Sequence, residues 1–178
     1  EEALNLKSHH LINQLHHNAD TQSYRERIQS INFSLIHDDG QSKESLNDAE
    51  IILVGVSRSG KTPTCLYLAV QFGVKAANYP ITPDDLEKEN LPKDLLSLKD
   101  KLFGLTIEPT RLSEIRYERL PNSKYATVEN CKYEVKAAEI LMKKYNIQFL
   151  STTNKSIEEI ASSLLQKINP ETVTSTTY

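Results

Sequence analysis

The stretch IILVGVSRSGKT, residues 51–62, decides the fold of this chain. Four apolar residues in a row at 51–54 are typical of a strand that is buried on both faces of a parallel sheet. The loop at 55–62 matches the pattern G-x-x-x-x-G-K-[ST] without a gap, and apolar residues at 66–70 predict a buried helix that ends near Gly73. Strand, glycine-containing loop and helix in this order predict a site for the phosphates of a nucleotide.

Each residue type in this loop has a physical reason to be there. Gly55 and Gly60 allow the backbone to wrap closely around a phosphate, and the main-chain N–H groups between them then point inward as donors. The start of the following helix adds partial positive charge, Lys61 adds a full charge, and the Thr62 hydroxyl is suited to ligate Mg²⁺. The predicted nucleotide-binding residues are Gly55, Val56, Ser57, Arg58, Ser59, Gly60, Lys61 and Thr62. The alternatives are a chance glycine-containing turn for the loop and a solvent-facing side chain for Arg58.

Strand and helix patterns alternate from residue 51 to residue 168. Apolar runs predict further strands at 74–79, 102–107 and 147–150, and Pro80 and Pro83 stop the first of these. Helical spacing predicts helices that begin at Pro109, cover 128–145 and follow the capping pair Ser156 and Glu159. The alternation predicts an α/β fold, a P-loop kinase-like domain with a mainly parallel sheet and helices on both faces.

Two patterns compete in residues 24–35. Tyr24, Ile28, Ile31 and Leu35 recur at helical spacing, whereas residues 31, 33 and 35 alternate like a strand; we favour the helix. The sequence HDDG at 37–40 then predicts a turn.

The predicted organisation has three parts: residues 1–48, a remnant of an N-terminal region plus a linker; residues 49–169, a P-loop kinase/phosphorylase domain; and residues 170–178, a flexible tail.

Composition excludes several classes of protein. The formal net charge of −3 gives no basic footprint for a nucleic acid, and no apolar run approaches the ~20 residues that cross a bilayer. The two cysteines, Cys65 and Cys131, lack metal-ligand spacing, so we predict small buried side chains and a reducing, cytoplasmic environment. Histidine pairs at 9–10 and 16–17 have no accompanying carboxylates or cysteines, which favours a solvated helix or tail over a metal site.

Missing motifs narrow the kind of phosphate-loop protein. The sequence NKSI at 154–157 lacks the aspartate of a guanine-binding NKxD element, which argues against a GTPase. The third predicted strand ends at 105–107 without the aspartate that would hold Mg²⁺ through water in a motor or transporter ATPase. A compact kinase therefore fits best, and other acids must assist the metal or the acceptor. The candidates are Asp38, Asp39, Asp84 and Asp85.

Three arginines, Arg111, Arg116 and Arg119, lie on the helix that begins at Pro109. Arginine clusters bind phosphorylated partners or neutralise a phosphate that is being transferred. The alternative is a solvated helical face with Glu114 and Glu118, and this alternative has somewhat more weight.

Six sequence blocks carry a family resemblance. They are HDDG at 37–40, GVSRSGKTPT at 55–64, AANYP at 76–80, KLFGLTI at 101–107, RL at 111–112 with IR at 115–116, and SIEEIA at 156–161. On these blocks, between about Tyr24 and Ile168, the chain resembles the bacterial phosphoenolpyruvate synthase regulatory proteins, relatives of the plant pyruvate, phosphate dikinase regulatory protein. The chain departs from the family in lacking most of the region that precedes these blocks.

The resemblance implies an ADP-dependent serine/threonine protein kinase that inactivates phosphoenolpyruvate synthase by phosphorylating a threonine. It also implies the reverse role, a phosphorylase that removes that phosphate with inorganic phosphate and forms pyrophosphate. The expected small molecules are ADP, inorganic phosphate and Mg²⁺, and the oligomeric state, including a homodimer, is left open. The alternatives are a small-molecule P-loop kinase and a non-catalytic nucleotide-sensing module.

The expected mechanism assigns a role to each candidate residue. Lys61 stabilises charge on the transferring β-phosphate, and Thr62 holds Mg²⁺. Asp39 or Asp38 orients or deprotonates the acceptor threonine, as an aspartate does in protein kinases. His37 is the rival base, because the ordinary pKa of histidine lies closer to neutral pH.

Overall fold

The computed structural model describes residues 22–40 and 45–168, and within them four strands are surrounded by helices. The strands are β1 (Ile51–Gly55), β2 (Ala76–Pro80), β3 (Leu102–Thr106) and β4 (Phe149–Ser151). The helices are α1 (Gln22–Ile36), α2 (Lys61–Phe72), α3 (Pro83–Glu87), α4 (Lys93–Leu96), α5 (Pro109–Arg119), α6 (Val128–Lys144) and α7 (Ile157–Ile168). Short 3₁₀ turns lie at Asp38–Gly40, Leu46–Asp48, Lys99–Lys101 and Lys124–Ala126. The predicted histidine-bearing segment and the predicted tail at 170–178 lie outside the described residues.

The four strands form one parallel sheet in the order β2-β1-β3-β4. The register pairs Ile51 with Ala76 on one side of β1 and Ile52 with Leu102 on the other. The chain therefore runs from β1 outward to β2 and then crosses to β3, so that the strand order reverses between β1 and β3. In open α/β sheets, ligands bind beyond the carboxyl ends of the strands at such a reversal. The predicted α/β fold with a parallel sheet is confirmed.

Both faces of the sheet are covered, because alternate residues of each strand point to opposite sides. Ile51 and Leu53 pack on one side in a cluster with residues of α2 and α7, such as Leu68 and Leu164. On the other side lies a second cluster, in which Ile52 and Val54 share the core with residues of α6, such as Cys131, Val135 and Met142. Strands that are buried on both faces explain the continuous apolar run at 51–54. The predicted placement of helices on both faces is confirmed.

The predicted helix ends agree with the local chemistry. Gly73 ends α2 in a left-handed conformation with φ 68°, where a residue without Cβ is favoured. Pro109 begins α5, and the Glu108 carboxylate caps that helix by accepting a bond from Arg111 N at 2.8 Å. Before α7, Ser156 N donates to Glu159 Oε2 at 2.8 Å and Glu159 N donates to Ser156 Oγ at 3.3 Å, which is the predicted capping box.

The bounds of β2, β3 and β4 differ by one or two residues from the sequence-based expectation, and β3 ends at Thr106 instead of residue 107. β2 begins at Ala76 and includes Pro80, which a β-edge strand tolerates because its outer N–H groups need no ladder partner. β4 covers Phe149–Ser151, slightly later than the predicted 147–150. Cys65 and Cys131 are buried free thiols, as predicted.

The helix favoured for residues 24–35 is present as α1, but none of the four residues at the predicted spacing is buried, and its buried apolar residue is Phe33. Tyr24, Ile28 and Leu35 are exposed by 40–55%, whereas Ser30 and Ser34 are buried. The Ser30 hydroxyl donates to Gly73 O at 2.5 Å and the Ser34 hydroxyl donates to Ala76 O at 2.7 Å. The helix therefore docks on main-chain carbonyls at the end of α2 and the start of β2, which hydropathy spacing does not reveal. No helix within 22–40 and 45–168 has the length and apolar character to span a bilayer.

Candidate functional site

Loop 55–62 joins β1 to α2 at the carboxyl end of the sheet, beside the reversal of strand order. Gly55 is required there by packing, because a Cβ atom would overlap the carbonyl oxygen of Leu105 on the neighbouring strand. Gly60 has φ 90°, a left-handed conformation that residues with a Cβ atom rarely adopt. The two glycines therefore have different roles: the first allows close contact between strands, and the second allows the turn into α2.

Carbonyl groups of the loop accept hydrogen bonds from its surroundings. These bonds run from Ile81 N to Gly55 O (3.0 Å), from Arg116 Nη2 to Ser57 O (3.1 Å), from Thr152 Oγ1 to Ser59 O (3.2 Å) and from Thr64 N to Gly60 O (3.2 Å). The first N–H groups of α2 have no intrahelical partner, as at every helix N-terminus. With its acceptors engaged and these donors available, the loop is suited to hold an anion.

Lys61 is buried at the start of α2, and its ammonium group donates to Val56 O at 2.9 Å. Burial lowers the pKa of Lys61 to about 8, although the nearby carboxylates of Asp39 and Asp38 act in the opposite direction. Within residues 22–40 and 45–168 this carbonyl is its only hydrogen-bond partner, so the ammonium group has donors available for a phosphate in the adjacent cleft.

The acidic turn Asp38–Gly40 lies directly against loop 55–62. Asp38 Oδ1 accepts bonds from Thr62 Oγ1 at 2.8 Å and from Asn78 Nδ2 at 2.6 Å. Asn78 Nδ2 also lies 2.9 Å from Thr62 Oγ1 and 3.3 Å from Asp39 Oδ1. Asp39 adopts φ 52°, ψ 30°, so the chain turns sharply between the two carboxylates. The turn at 37–40 was predicted from sequence, and the structure brings it to Thr62.

Asn78 is a residue that sequence reasoning did not select. It is buried in β2, and its amide connects the acidic turn to the first turn of α2. The available signal was a polar side chain inside an otherwise apolar strand, within the block AANYP. A buried amide in such a place indicates a specific set of hydrogen-bond partners.

His37 lies behind the acidic turn. Its ring is buried, stacks on Phe33 with 4.0 Å between ring centroids, and places Nδ1 2.9 Å from Phe33 O. The ring lines a separate cavity of about 280 Å³, together with Tyr79 and Leu95. It is not among the residues that line the cleft above loop 55–62.

A cleft of about 460 Å³ opens above the loop. Its lining is mostly charged and polar: Asp38, Asp39, Ser57, Arg58, Gly60, Lys61, Thr62, Pro63, Ile115 and Arg119. Gly55, Val56 and Ser59, which were also predicted to bind nucleotide, lie behind this surface. The cleft therefore brings together the cations of Lys61, Arg58 and Arg119 with the two carboxylates of the acidic turn.

The three arginines of α5 have three different environments. Arg111 is exposed and pairs with Glu114, and Arg119 lines the cleft. Arg116 is fully buried and forms an ion pair with Glu134 at 2.7 Å. The favoured expectation of one solvated face holds for Arg111 and is wrong for Arg116.

Two of the candidate acids lie elsewhere. Asp85 caps α3 by accepting from Thr82 N at 2.9 Å, and Asp84 pairs with Lys88 on the surface. Within the described residues, no group of three or more histidine, cysteine, aspartate or glutamate side chains could hold a metal ion. Asp38 and Thr62 nevertheless offer two adjacent oxygens. This donor set fits Mg²⁺, which uses one or two carboxylates and completes its shell with water and substrate phosphate.

The fold and the site together are typical of proteins that bind and transfer phosphate groups. The features in question are the parallel sheet, the glycine-containing loop at the strand-order reversal, the buried lysine and the adjacent acidic turn. The kinase/pyrophosphorylase family model matches residues 1–165. The chain belongs to the kinase/pyrophosphorylase family.

Relatives of the chain agree with this assignment. It is 62% identical over 168 residues to a Cupriavidus metallidurans protein and 62% identical over 171 residues to a Ralstonia nicotianae protein. A Burkholderia mallei protein is 60% identical over 171 residues. Each of the three is named "Putative phosphoenolpyruvate synthase regulatory protein". The matches cover 94–96% of this chain and 61–63% of the relatives, so the chain spans about three fifths of their length.

Proposed function

We propose that this chain is the catalytic part of a bifunctional regulator of phosphoenolpyruvate synthase. In one direction it phosphorylates a threonine of the synthase with ADP, and in the other it removes that phosphate with inorganic phosphate. Membership of the kinase/pyrophosphorylase family supports a phosphotransferase, and the names of the relatives support the target. The observation that carries the proposal is the hydrogen bond of Thr62 to Asp38 beside the Lys61 ammonium, at the floor of an open polar cleft.

The two reactions share one bond, between phosphorus and the threonine oxygen, which forms in the first and breaks in the second. In the forward direction, the threonine oxygen attacks the β-phosphorus of ADP, the bond from that phosphorus to the bridging oxygen breaks, and AMP leaves. The hydroxyl proton passes to a carboxylate of the acidic turn. In reverse, an oxygen of inorganic phosphate attacks the phosphorus of phosphothreonine. The threonine oxygen leaves and takes up a proton, and pyrophosphate forms.

The geometry favours different roles for the two aspartates. Asp38 is engaged by Thr62 and Asn78 at 2.8 and 2.6 Å, so it is placed to hold Mg²⁺ together with Thr62. The strand-end aspartate that other phosphate-loop enzymes use for this purpose is absent from β3, and Asp38 would take its place. Asp39 lines the cleft, and the one hydrogen bond of its side chain to the rest of the described chain is a long 3.3 Å contact with Asn78. This leaves Asp39 available to orient the acceptor hydroxyl and accept its proton.

Magnesium, when bound, would neutralise phosphate charge and orient the transferring group. The chain's own residues would do the rest. Lys61 would bind the β-phosphate oxygens, and the main-chain N–H groups at the start of α2 would hold the diphosphate in line with the acceptor. Arg58 and Arg119 lie at the rim, where they can attract a second phosphate-bearing group.

The test of activity is to mix the full-length protein, phosphoenolpyruvate synthase and Mg·ADP, and to look for phosphothreonine on the synthase by mass spectrometry. Phosphate is then added to the modified synthase, and pyrophosphate release is measured. Nucleotide binding without transfer would favour the non-catalytic sensing module. Turnover of a metabolite with ATP, without modification of the synthase, would favour the small-molecule kinase.

The division of roles is tested with Asp38→Asn and Asp39→Asn. We expect Asp39→Asn to retain Mg·ADP binding but to lower turnover by about 100-fold or more, the usual contribution of acid–base catalysis. Asp38→Asn should raise the magnesium concentration needed for half-maximal rate. The assignment is wrong if the two phenotypes are exchanged, or if Asp39→Asn keeps the full rate in both directions.

A further inference from the structure

Arg116 is a fully buried arginine that reaches loop 55–62 from α5. Its Nη2 donates to Ser57 O at 3.1 Å and to Glu134 Oε2 at 2.7 Å, and its Nη1 donates to Tyr125 O at 3.1 Å. The guanidinium also lies over the Tyr125 ring, 4.0 Å from the ring centroid. One side chain therefore connects the loop to the 3₁₀ turn at Lys124–Ala126 and to α6.

A gain in folding stability does not explain why Arg116 is buried. Arg116 Nε has no hydrogen-bond partner among the described residues, and an unpaired buried donor is destabilising. Burying an ion pair generally gives no net stability over apolar residues of similar volume. Apolar residues at both position 116 and position 134 would avoid the burial of these two charges. A different requirement must account for the charge.

Arg116 bonds the Ser57 carbonyl, whose orientation affects which groups of the loop face the cleft. Ser57 is contacted twice from the same side: its carbonyl by Arg116, and its hydroxyl by the Tyr125 hydroxyl at 2.9 Å. The next residue, Arg58, has φ 73°, so the peptide plane between them fixes which groups face the cleft. If the Ser57 carbonyl rotated inward, the loop would present an acceptor to the phosphate in place of a donor.

We propose that Arg116 is a positioning residue that fixes the anion-binding conformation of loop 55–62 by holding the Ser57 carbonyl away from the cleft. Tyr125 and Glu134 hold the guanidinium in turn. The proposal rests on the proposed function only in naming the ligand as a diphosphate. Arginine suits this role because its rigid fork makes several bonds at fixed angles, whereas an ammonium group cannot reach Ser57, Tyr125 and Glu134 together.

The first test needs no ligand. Hydrogen exchange of the loop amides is compared between wild type and Arg116→Lys, which keeps the charge but loses the fork. We expect the Ser59 amide, which donates to Val56 O at 3.3 Å, to exchange about tenfold faster in the variant, the effect of losing about 1.4 kcal/mol of local stabilisation. The amides of β1 at 52–54 should keep their wild-type rates, because the sheet does not depend on this contact.

The second test measures binding of Mg·ADP and of pyrophosphate by calorimetry. Arg116→Lys should bind both about tenfold more weakly, as expected for loss of a hydrogen bond from a charged group. Tyr125→Phe, which loses only the hydroxyl contact to Ser57, should weaken binding by a smaller factor and covers the case that Arg116→Lys fails to fold. Arg111→Lys is the matched control on the same helix, since that side chain is exposed, and it should behave as wild type in both tests.

The outcomes separate this inference from the proposed function. Faster loop exchange together with weaker binding supports the positioning role. The other outcome is that Arg116→Lys and Tyr125→Phe both lower the melting temperature but keep wild-type loop exchange and wild-type affinity. That outcome would show that Arg116 only stabilises the core. If wild type binds neither Mg·ADP nor pyrophosphate while loop exchange still responds to Arg116→Lys, the positioning role stands and the proposed function fails.

Discussion

Lys61 carries a charge at a place that disfavours it. The side chain is buried, and burial lowers its pKa from an ordinary 10.5 to about 8. The carboxylates of Asp39 and Asp38 offset this desolvation in part, and an anionic ligand in the cleft would offset it further, so the residue indicates a site that is more stable when occupied. Burial of this single charge therefore destabilises the ligand-free fold and favours the binding of phosphate in the cleft.

Lys61→Met is therefore expected to stabilise the ligand-free protein while it abolishes diphosphate binding. Between pH 8 and pH 10.5 Lys61 binds more protons in the unfolded chain than in the folded one, so its contribution to wild-type stability rises with pH across this window. The variant lacks this rise and is more stable than wild type at pH 7 by on the order of 2 kcal/mol. Urea unfolding at pH 7 and pH 10 measures both effects, with Lys155→Met as an exposed control. A variant that is less stable at pH 7 would contradict this account.

The uncharged amide of Asn78 suits its position next to two carboxylates. Its amide lies between the carboxylates of Asp38 and Asp39 and donates to both. Asn78→Asp would place a third carboxylate there, and we expect a loss of roughly 2 kcal/mol at pH 8. Protonation of the new carboxylate would relieve this repulsion, so stability should recover as the pH falls. Urea midpoints at pH 8 and pH 5 measure this, and the exposed Asn47→Asp should show no such pH dependence.

At the scale of elements, the approach of β3 to α6 depends on a missing side chain. A Cβ atom on Gly104 would overlap Met142 Sδ of α6 and Phe149 Cβ of β4. The sequence pattern around 102–106 reads only as an apolar strand, so this contact is invisible before the elements pack. Gly104 therefore determines how closely α6 can pack against β3.

Gly104→Ala is expected to lower the free energy of unfolding by about 1–3 kcal/mol, the usual cost of overpacking. In a chain that already carries Met142→Ala, Gly104→Ala should cost less, because the more flexible of the two clashing groups is absent, whereas Phe149 Cβ cannot move without its strand. Urea unfolding of the single and double variants measures the coupling. Strictly additive losses would show that Gly104 and Met142 do not interact.

At the scale of the whole molecule, the cleft is assembled from segments that are distant in sequence. The acidic turn follows α1, loop 55–62 follows β1, and Arg119 ends α5. The predicted boundary at residue 48 separates the acidic turn from the domain that carries the loop. In the structure, α1 and this turn pack on α2 and β2 and complete the cleft.

A bound diphosphate should therefore protect all three segments at once. We expect Mg·ADP to slow hydrogen exchange at 38–40, 56–64 and 115–119, and to leave α7 unaffected. At 100 times its dissociation constant it should stabilise the fold by about 2.7 kcal/mol. Lys61→Met provides the control, since neither effect should appear with it. Protection confined to loop 55–62 would mean that the acidic turn and α5 do not take part in binding.

Much of the fold could be read from sequence because its signals are local. The apolar run at 51–54, the cap at Ser156 and Glu159 and the glycine at 73 each act within a few residues, so they predicted strand, helix start and helix end. The glycine pattern at 55–62 likewise marks a loop between a strand and a helix. These features depend on the backbone and side chains of a single element and not on what packs against it.

Tertiary packing decided what the sequence left open. Thr62 and Asp38 are 24 positions apart and meet at 2.8 Å only because α1 docks on α2 and β2. The same packing buries Arg116, exposes Arg111 and separates His37 from the cleft, although sequence alone treats these residues as equal members of their groups. Periodicity gives the direction of a side chain relative to its own helix or strand. The partners it meets depend on how distant elements pack together, and that packing determines the chemistry of the cleft.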